Sequence, residues 1–254
     1  LEPIKIGVLI PGSTPIDVDG RTWRFGLAQT EAGQQAVFAT VCQWRELFIQ
    51  ALVSSIGRAL GLPIPSCFIL LSSPEDFPEA VAEKPFLVFA CRAGEHPTMA
   101  FFARRMAEAV DLLLNSKRDT MNRLIVLDEW ALNGRRDATA VLIDPSTGIQ
   151  FIDHHPSLPS PSNPVDQLRN WVHEVAHAEM SQIDALRLRR EMQKAANNVF
   201  EIDLGILADQ AAMLGSASEV ESWLELLDLM STRRHHLEEL FCQRLGIPEQ
   251  RLSI

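Results

Sequence analysis

The chain has 254 residues, 46% of them hydrophobic and 22% charged, with 33 acidic against 23 basic side chains and a net charge of −10. That composition can bury one large domain or two lobes sharing a cleft, and it excludes a largely disordered chain. The acidity excludes a general nucleic-acid or anionic-membrane role, because neutralising phosphates takes clustered Lys and Arg. No apolar run approaches the roughly 18 residues of a membrane helix, so no membrane partner is expected. Leu1 to Ile10 lack the basic start and long apolar stretch of a signal peptide. Cys42, Cys67, Cys91 and Cys242 are widely spaced and form no C-x-x-C pair, which gives the expectation of a reduced, cytoplasmic protein.

Ile4 to Ile10 reads as an apolar strand closed by Pro11-Gly12. Thr22 to Leu27 reads as the next strand, Glu31 to Gly33 as a turn, and Gln35 to Val41 as the hairpin partner. From Gln43 to Leu60 the period becomes helical, with Trp44, Leu47, Ala51, Leu52, Ile56 and Leu60 near one face. Gly61 ends that helix, and Pro63 and Pro65 prevent its restart. Cys67 to Leu71 and Pro85 to Cys91 are apolar strands. Residues 1–92 are therefore expected to form a small lobe of strands with one helix.

Residues 93–254 are expected to be mainly helical. Met99 to Leu114 reads as an amphipathic helix and Met121 to Leu132 as a second. Ala140 to Ile143 and Ile149 to Asp153 flank a hairpin turn at Asp144 to Gly148. Pro156 to Pro164 holds four prolines and reads as a loop. Helices are expected at 165–197, 203–214, 218–230 and 232–244, with Ser218 and Glu221 at capping-box spacing.

The segment Leu127 to Leu158 carries the strongest pattern. Asp128-Glu129-Trp130, Asn133, Arg136 and Ile152-Asp153-His154 match, without a gap up to Leu142, a motif of the form F-D-E-W-x-x-N-x-D-R-H-x-x-N-L-L, a hairpin, then I-D-H. This resembles the catalytic core of HipA-like bacterial kinases in their short single-domain form. Gly61-Leu62-Pro63-Ile64-Pro65 is similar to that family's G-L-P-V-P, Phe89 to Arg92 to its strand ending in a basic residue, and Ser222-Trp223-Leu224 with Arg233-Arg234 to its closing helices. The resemblance implies an α+β, two-lobe, protein-kinase-like fold, with the small lobe at 1–92 and the helical lobe at 93–254.

It also implies a test of activity. Phosphoryl transfer needs a strand Lys on the phosphates, a helix Glu to hold it, a catalytic-loop Asp at the attacking hydroxyl, and an Asn and a hairpin Asp on Mg²⁺. Read against the family, the strand Lys falls within Ala36 to Thr40, at Ala39, and that segment has no basic residue. The paired Glu falls at Gln50, with Glu46 one turn earlier. The catalytic Asp falls at Arg135, which cannot accept a proton. The Asn falls at Ala140 and the His of D-R-H at Asp137. Only Asp153 remains as a candidate for metal or nucleotide binding. The residues alone also allow Asp128-Glu129-Trp130 a purely structural role and Arg135-Arg136 a solvated one, at the rim of the cleft if the cleft persists.

The expectation is thus a pseudokinase that acts by binding another, unidentified protein, with no cofactor required and ATP and Mg²⁺ as vestigial ligands. Two alternatives stand beside it. One is an atypical active kinase using Asp137 and Asp153. The other is a zinc hydrolase using His173-Glu174-Val175-Ala176-His177, an H-E-x-x-H sequence that on a helix sets two His on one face with the Glu as general base. Its third ligand would be Glu191 or Glu201, neither at a persuasive spacing.

Overall fold

Alternation builds the N-terminal region. In β5 (Cys67–Ser72), Phe68 and Leu70 point to one side and Cys67 and Ile69 to the other, and all four are buried. A strand covered on both faces reads as a continuous apolar run. β1 (Lys5–Leu9) pairs with β5 in parallel and with β3 (Arg21–Thr30) antiparallel. With β4 (Gly33–Thr40) and β6 (Phe86–Arg92), the order β1-β5-β6-β4-β3 closes on itself. The result is a closed five-stranded barrel, with β2 (Thr14–Val18) added at the outside of β3. Closure removes the exposed edges that an open sheet would leave. Leu9, Ala28, Val37, Ala39, Phe68, Leu70, Val88 and Ala90 fill the interior.

The fold is taken from a computed structural model, which describes residues 1–18, 21–80, 82–94, 101–102, 118–133, 135–136, 140–144, 148–158, 169–170, 182–214 and 216–240. Helix α1 (Trp44–Ala59) packs on the outer wall of the barrel against Phe38, Cys67, Ile69 and Phe89. It is buried from Leu47 to Gly57 because helices cover its other side. Gly57 permits one of these approaches: a Cβ there would meet Ile64 Cδ1 at 2.3 Å and Leu127 Cδ2 at 2.8 Å. Gly61, at φ +73°, ends the helix in a Schellman arrangement, with Gly61 N donating to Arg58 O and Leu62 N to Gly57 O.

Helix α2 (Arg118–Trp130) carries the Asp128-Glu129-Trp130 triplet into the core. The Trp130 indole donates to Met230 O at 2.6 Å. Arg233 donates to Glu129 O at 2.6 Å and to Trp130 O at 3.0 Å. It thereby satisfies carbonyls that the end of α2 leaves without a helical partner. Burial lowers the Arg233 pKa from its ordinary value. Helices α3 (Gln182–Phe200), α4 (Gly205–Leu214) and α5 (Ala217–Arg234) complete the described part. Trp223 of α5 sits 4.4 Å, centroid to centroid, from Phe48 of α1, and its indole donates to Leu207 O. Among the described residues no helix is long and apolar enough to cross a membrane.

Several local expectations are corrected. Phe101–Phe102, read as helix, is strand β7, paired with β9 (Val141–Asp144), which pairs in turn with β10 (Gly148–Phe151). Arg169–Asn170, also read as helix, is strand β11 beside β8 (Arg135–Arg136). Two-residue strands set no period in the sequence, so only their partners reveal them. The capping box is Ser216 with Glu219, not Ser218 with Glu221, and the helix it starts runs unbroken to Arg234. The rest of 99–114 and the expected turn at Pro145 to Thr147 lie outside the described residues.

Candidate functional site

The hairpin β9–β10 delivers its last residues to a junction of three elements. Phe151 N donates to Pro63 O, and Ile152 N to Ala140 O. Beyond them Asp153 adopts φ +55°, a left-handed conformation that Asp tolerates better than most residues. Its neighbours are pinned on both sides. Arg136 Nη1 donates to Ile152 O at 3.1 Å, and Nη2 to His154 Nδ1 at 3.0 Å.

Arg136 is fully buried, which corrects the reading of Arg135-Arg136 as a solvated pair. Its Nε and Nη2 donate to the two carboxylate oxygens of Asp128, at 3.1 and 2.7 Å. A bidentate fork of this kind offsets the large cost of taking both charges out of water. Asn133 adds a bond from Nδ2 to Asp128 Oδ1 at 3.0 Å. The motif residues Asp128, Asn133, Arg136 and His154 are thus one buried network. His154 accepts through Nδ1, which assigns its proton to Nε2, and Nε2 has no hydrogen-bond partner among the described residues. Burial first, and the Arg136 charge second, hold the His154 pKa well below the usual imidazole range.

On the other side of the same chain segment lies a different arrangement. Gln50, fully buried in α1, uses both ends of its amide. Nε2 donates to Asp153 Oδ1 at 2.9 Å, and Oε1 accepts from His154 N at 2.7 Å. His155 Nδ1 lies 2.6 Å from the same Asp153 oxygen. One carboxylate oxygen is therefore shared by an amide and an imidazole. Cys91, on the α1 side of the barrel, has its pKa pushed up to about 12, by burial first, then by Cys67 and Asp153.

The other expected site residues fall as follows. Ala39 lies in the barrel interior, on the face opposite α1, whereas Phe38 belongs to the cluster against α1. A side chain at 39 does not face Gln50, so the position facing α1 is corrected to Phe38. Ala140 is buried and offers no ligand atom. Arg135 contributes its backbone to β8, while Asp137 and His173, Glu174 and His177 lie outside the described residues. Glu191, a suggested zinc ligand, accepts from Asn122 Nδ2 at 2.8 Å. Among the described residues no group of three His, Cys, Asp or Glu converges as a metal site. Sequence reasoning missed the bond between Gln50 and Asp153 and the contribution of His155. The only signal was the alignment of Gln50 with the helix Glu of the family.

No family model matches the chain, and no curated protein matches it. Among solved structures it is similar to the crystal structure of a Helicobacter pylori proinflammatory kinase, CtkA. The likeness covers 99% of this chain and 100% of that one, at a TM-score of 0.57 and 11% identity. It shows a kinase-like fold.

Proposed function

We propose that this chain is a HipA-like kinase-fold protein, with lobes at 1–92 and 93–254, that has given up phosphoryl transfer and acts by binding another protein. The observation that carries the reading is the Gln50–Asp153 bond. A working site of this kind places a cation between the helix carboxylate and the nucleotide, and leaves the hairpin Asp for Mg²⁺. Here strand β4 has no basic residue, the helix side chain is a neutral amide, and that amide occupies an oxygen of the one surviving metal candidate.

The remaining positions point the same way. Arg135 stands where the family has its base, and a general base alone is worth about 10²–10⁴ in rate. Ala140 removes the second metal ligand. Fold alone does not supply activity; the site does. The test is label transfer from ATP to the protein or to a generic protein acceptor, compared with Asp153→Ala. The reading expects the two to be indistinguishable. Label that appears in the wild type and vanishes in Asp153→Ala would establish an active kinase instead.

A further inference from the structure

We propose that a groove at the C-terminal end of α1 is a binding site for a small ligand that carries an anionic head on an apolar body. The groove is a cavity of about 440 Å³ between the last turn of α1, the Gly61–Ser66 loop, the end of β6 and Gln150 of β10. That volume lies within the range of small-ligand sites. None of β2, β3 or β4 lines it, and neither does Gln50 or Asp153, so it is separate from the Gln50–Asp153 site.

Three features select the ligand. The first is charge. Two guanidinium groups, Arg58 and Arg92, line the cavity, and among the described residues no acidic side chain does. This is a cationic enclave on a chain of net charge −10. Arg58 is steadied by a bond to Ser66 Oγ, and its other contact is the exposed Glu2 at 3.4 Å. Arg92 is exposed, and its guanidinium has no hydrogen bond or ion pair among the described residues. Arginine forks match carboxylate and phosphate oxygens in pairs.

The second feature is the floor. Leu62 and Ile64 line the cavity at 5% and 7% exposure, and they offer an apolar surface to the body of a ligand. The third is that the walls are tied by main-chain bonds. Arg92 N donates to Ser66 O at 2.8 Å, Phe151 N to Pro63 O at 2.9 Å and Leu62 N to Gly57 O at 3.0 Å. A site whose walls are already fixed loses little order on binding.

The experiment is calorimetric titration of the full chain with phenyl phosphate and with benzoate. Inorganic phosphate serves as the head alone and benzyl alcohol as the body alone. At least one of the two amphipathic anions is expected to bind one to one, at least tenfold tighter than inorganic phosphate or benzyl alcohol. Arg92→Ala is expected to weaken it at least tenfold while keeping the wild-type melting temperature, because Arg92 is exposed. Asp153→Ala is expected to leave it unchanged, which separates this site from the one at Asp153. The two anions also distinguish phosphate from carboxylate as the preferred head. Failure of both to bind at millimolar concentration, equal binding by Arg92→Ala, or loss of binding in Asp153→Ala would overturn the proposal.

Discussion

Asp153 and His154 are adjacent in the chain, yet they belong to opposite kinds of site. His154 joins a buried network in which Arg136 meets Asp128 through two bonds and both charges are out of water. Asp153 turns the other way, to an amide and a partly exposed imidazole. Of the residues that match the kinase-like motif, Asp128, Asn133, Arg136 and His154 form the buried network, while Asp153 lies outside it. Of the positions that depart from the family, Gln50 bonds Asp153 and Ala140 lies at the base of its hairpin. The comparison teaches that a scaffold and a reaction make separate demands on one loop. A buried ion pair cannot lose one partner cheaply, whereas a reacting group can be replaced without unfolding the chain.

Removing Arg136 should therefore have the largest effect. Arg136→Ala leaves the Asp128 carboxylate buried without its counter-charge, and urea denaturation should show a loss of about 3–5 kcal/mol. That is a large part of the stability of a typical domain. Arg136→Met paired with Asp128→Leu should recover part of it, since the unpaired charge is gone while Asn133 Nδ2, Ile152 O and His154 Nδ1 each lose a partner. If the double substitution is as unstable as the single one, the loss does not come from an unpaired buried charge.

Gln50 should matter less. Gln50→Leu leaves His154 N–H and Asp153 Oδ1 each short of a partner, and the expected loss is about 1–3 kcal/mol. Gln50→Glu should cost a similar amount at neutral pH, because it sets a second carboxylate beside Asp153. A loss equal to that of Arg136→Ala would erase the distinction between the two regions.

The pH dependence sharpens the same contrast. His154 has a folded-state pKa below its unfolded value. Between the two values the unfolded chain binds a proton that the folded chain does not, so stability rises with pH across that window. Above about pH 6.5 its neutral form carries no penalty; below it, stability should fall with a slope approaching 1.4 kcal/mol per pH unit. Denaturation midpoints from pH 7.5 down to 5.5 should show this slope, and His154→Gln should flatten it. An unchanged slope in the variant would assign the titration elsewhere.

The smallest effect belongs to the surface. Glu238, more than half exposed, accepts from Arg189 at 3.0 Å and from Gln193. Glu238→Ala should change stability by about 1 kcal/mol or less, and less still in high salt.

Much of the fold was legible. Apolar strands bounded by Gly and Pro, and the helical period from Trp44 onward, appear close to their predicted limits. Strand β2 was not legible, because Pro15 and Asp17 interrupt it. Pro is tolerated there because β2 is an edge strand, paired among the described residues with β3 alone. Barrel closure was hidden as well, since the pairing of β1 with β3 depends on register between distant segments. Register also misplaced the strand position: one residue of shift moves a side chain to the other face, and Ala39 turned out to face inward. The capping boxes show the same limit from another side. Ser216-x-x-Glu219 and Ser218-x-x-Glu221 both satisfy the spacing, and only the helix start chooses between them. In the site, the matched motif residues could be named from sequence and Gln50 could be set at the helix Glu position, but its bond to Asp153 could not be foreseen, because no motif marks what a neutral replacement for an ion pair will hold.

The most direct test of the central reading is a thermal-shift titration with ATP, with and without Mg²⁺, in the wild type and in Arg92→Ala. The second protein removes any contribution from the cationic groove. A folded-state site filled a hundredfold above its Kd adds about 2.7 kcal/mol, an effect easily seen as a rise in melting temperature. The account predicts no Mg²⁺-dependent rise at millimolar ATP in either protein. A Mg²⁺-dependent rise that persists in Arg92→Ala and disappears in Asp153→Ala would contradict it, by showing that Asp153 still anchors a metal–nucleotide complex.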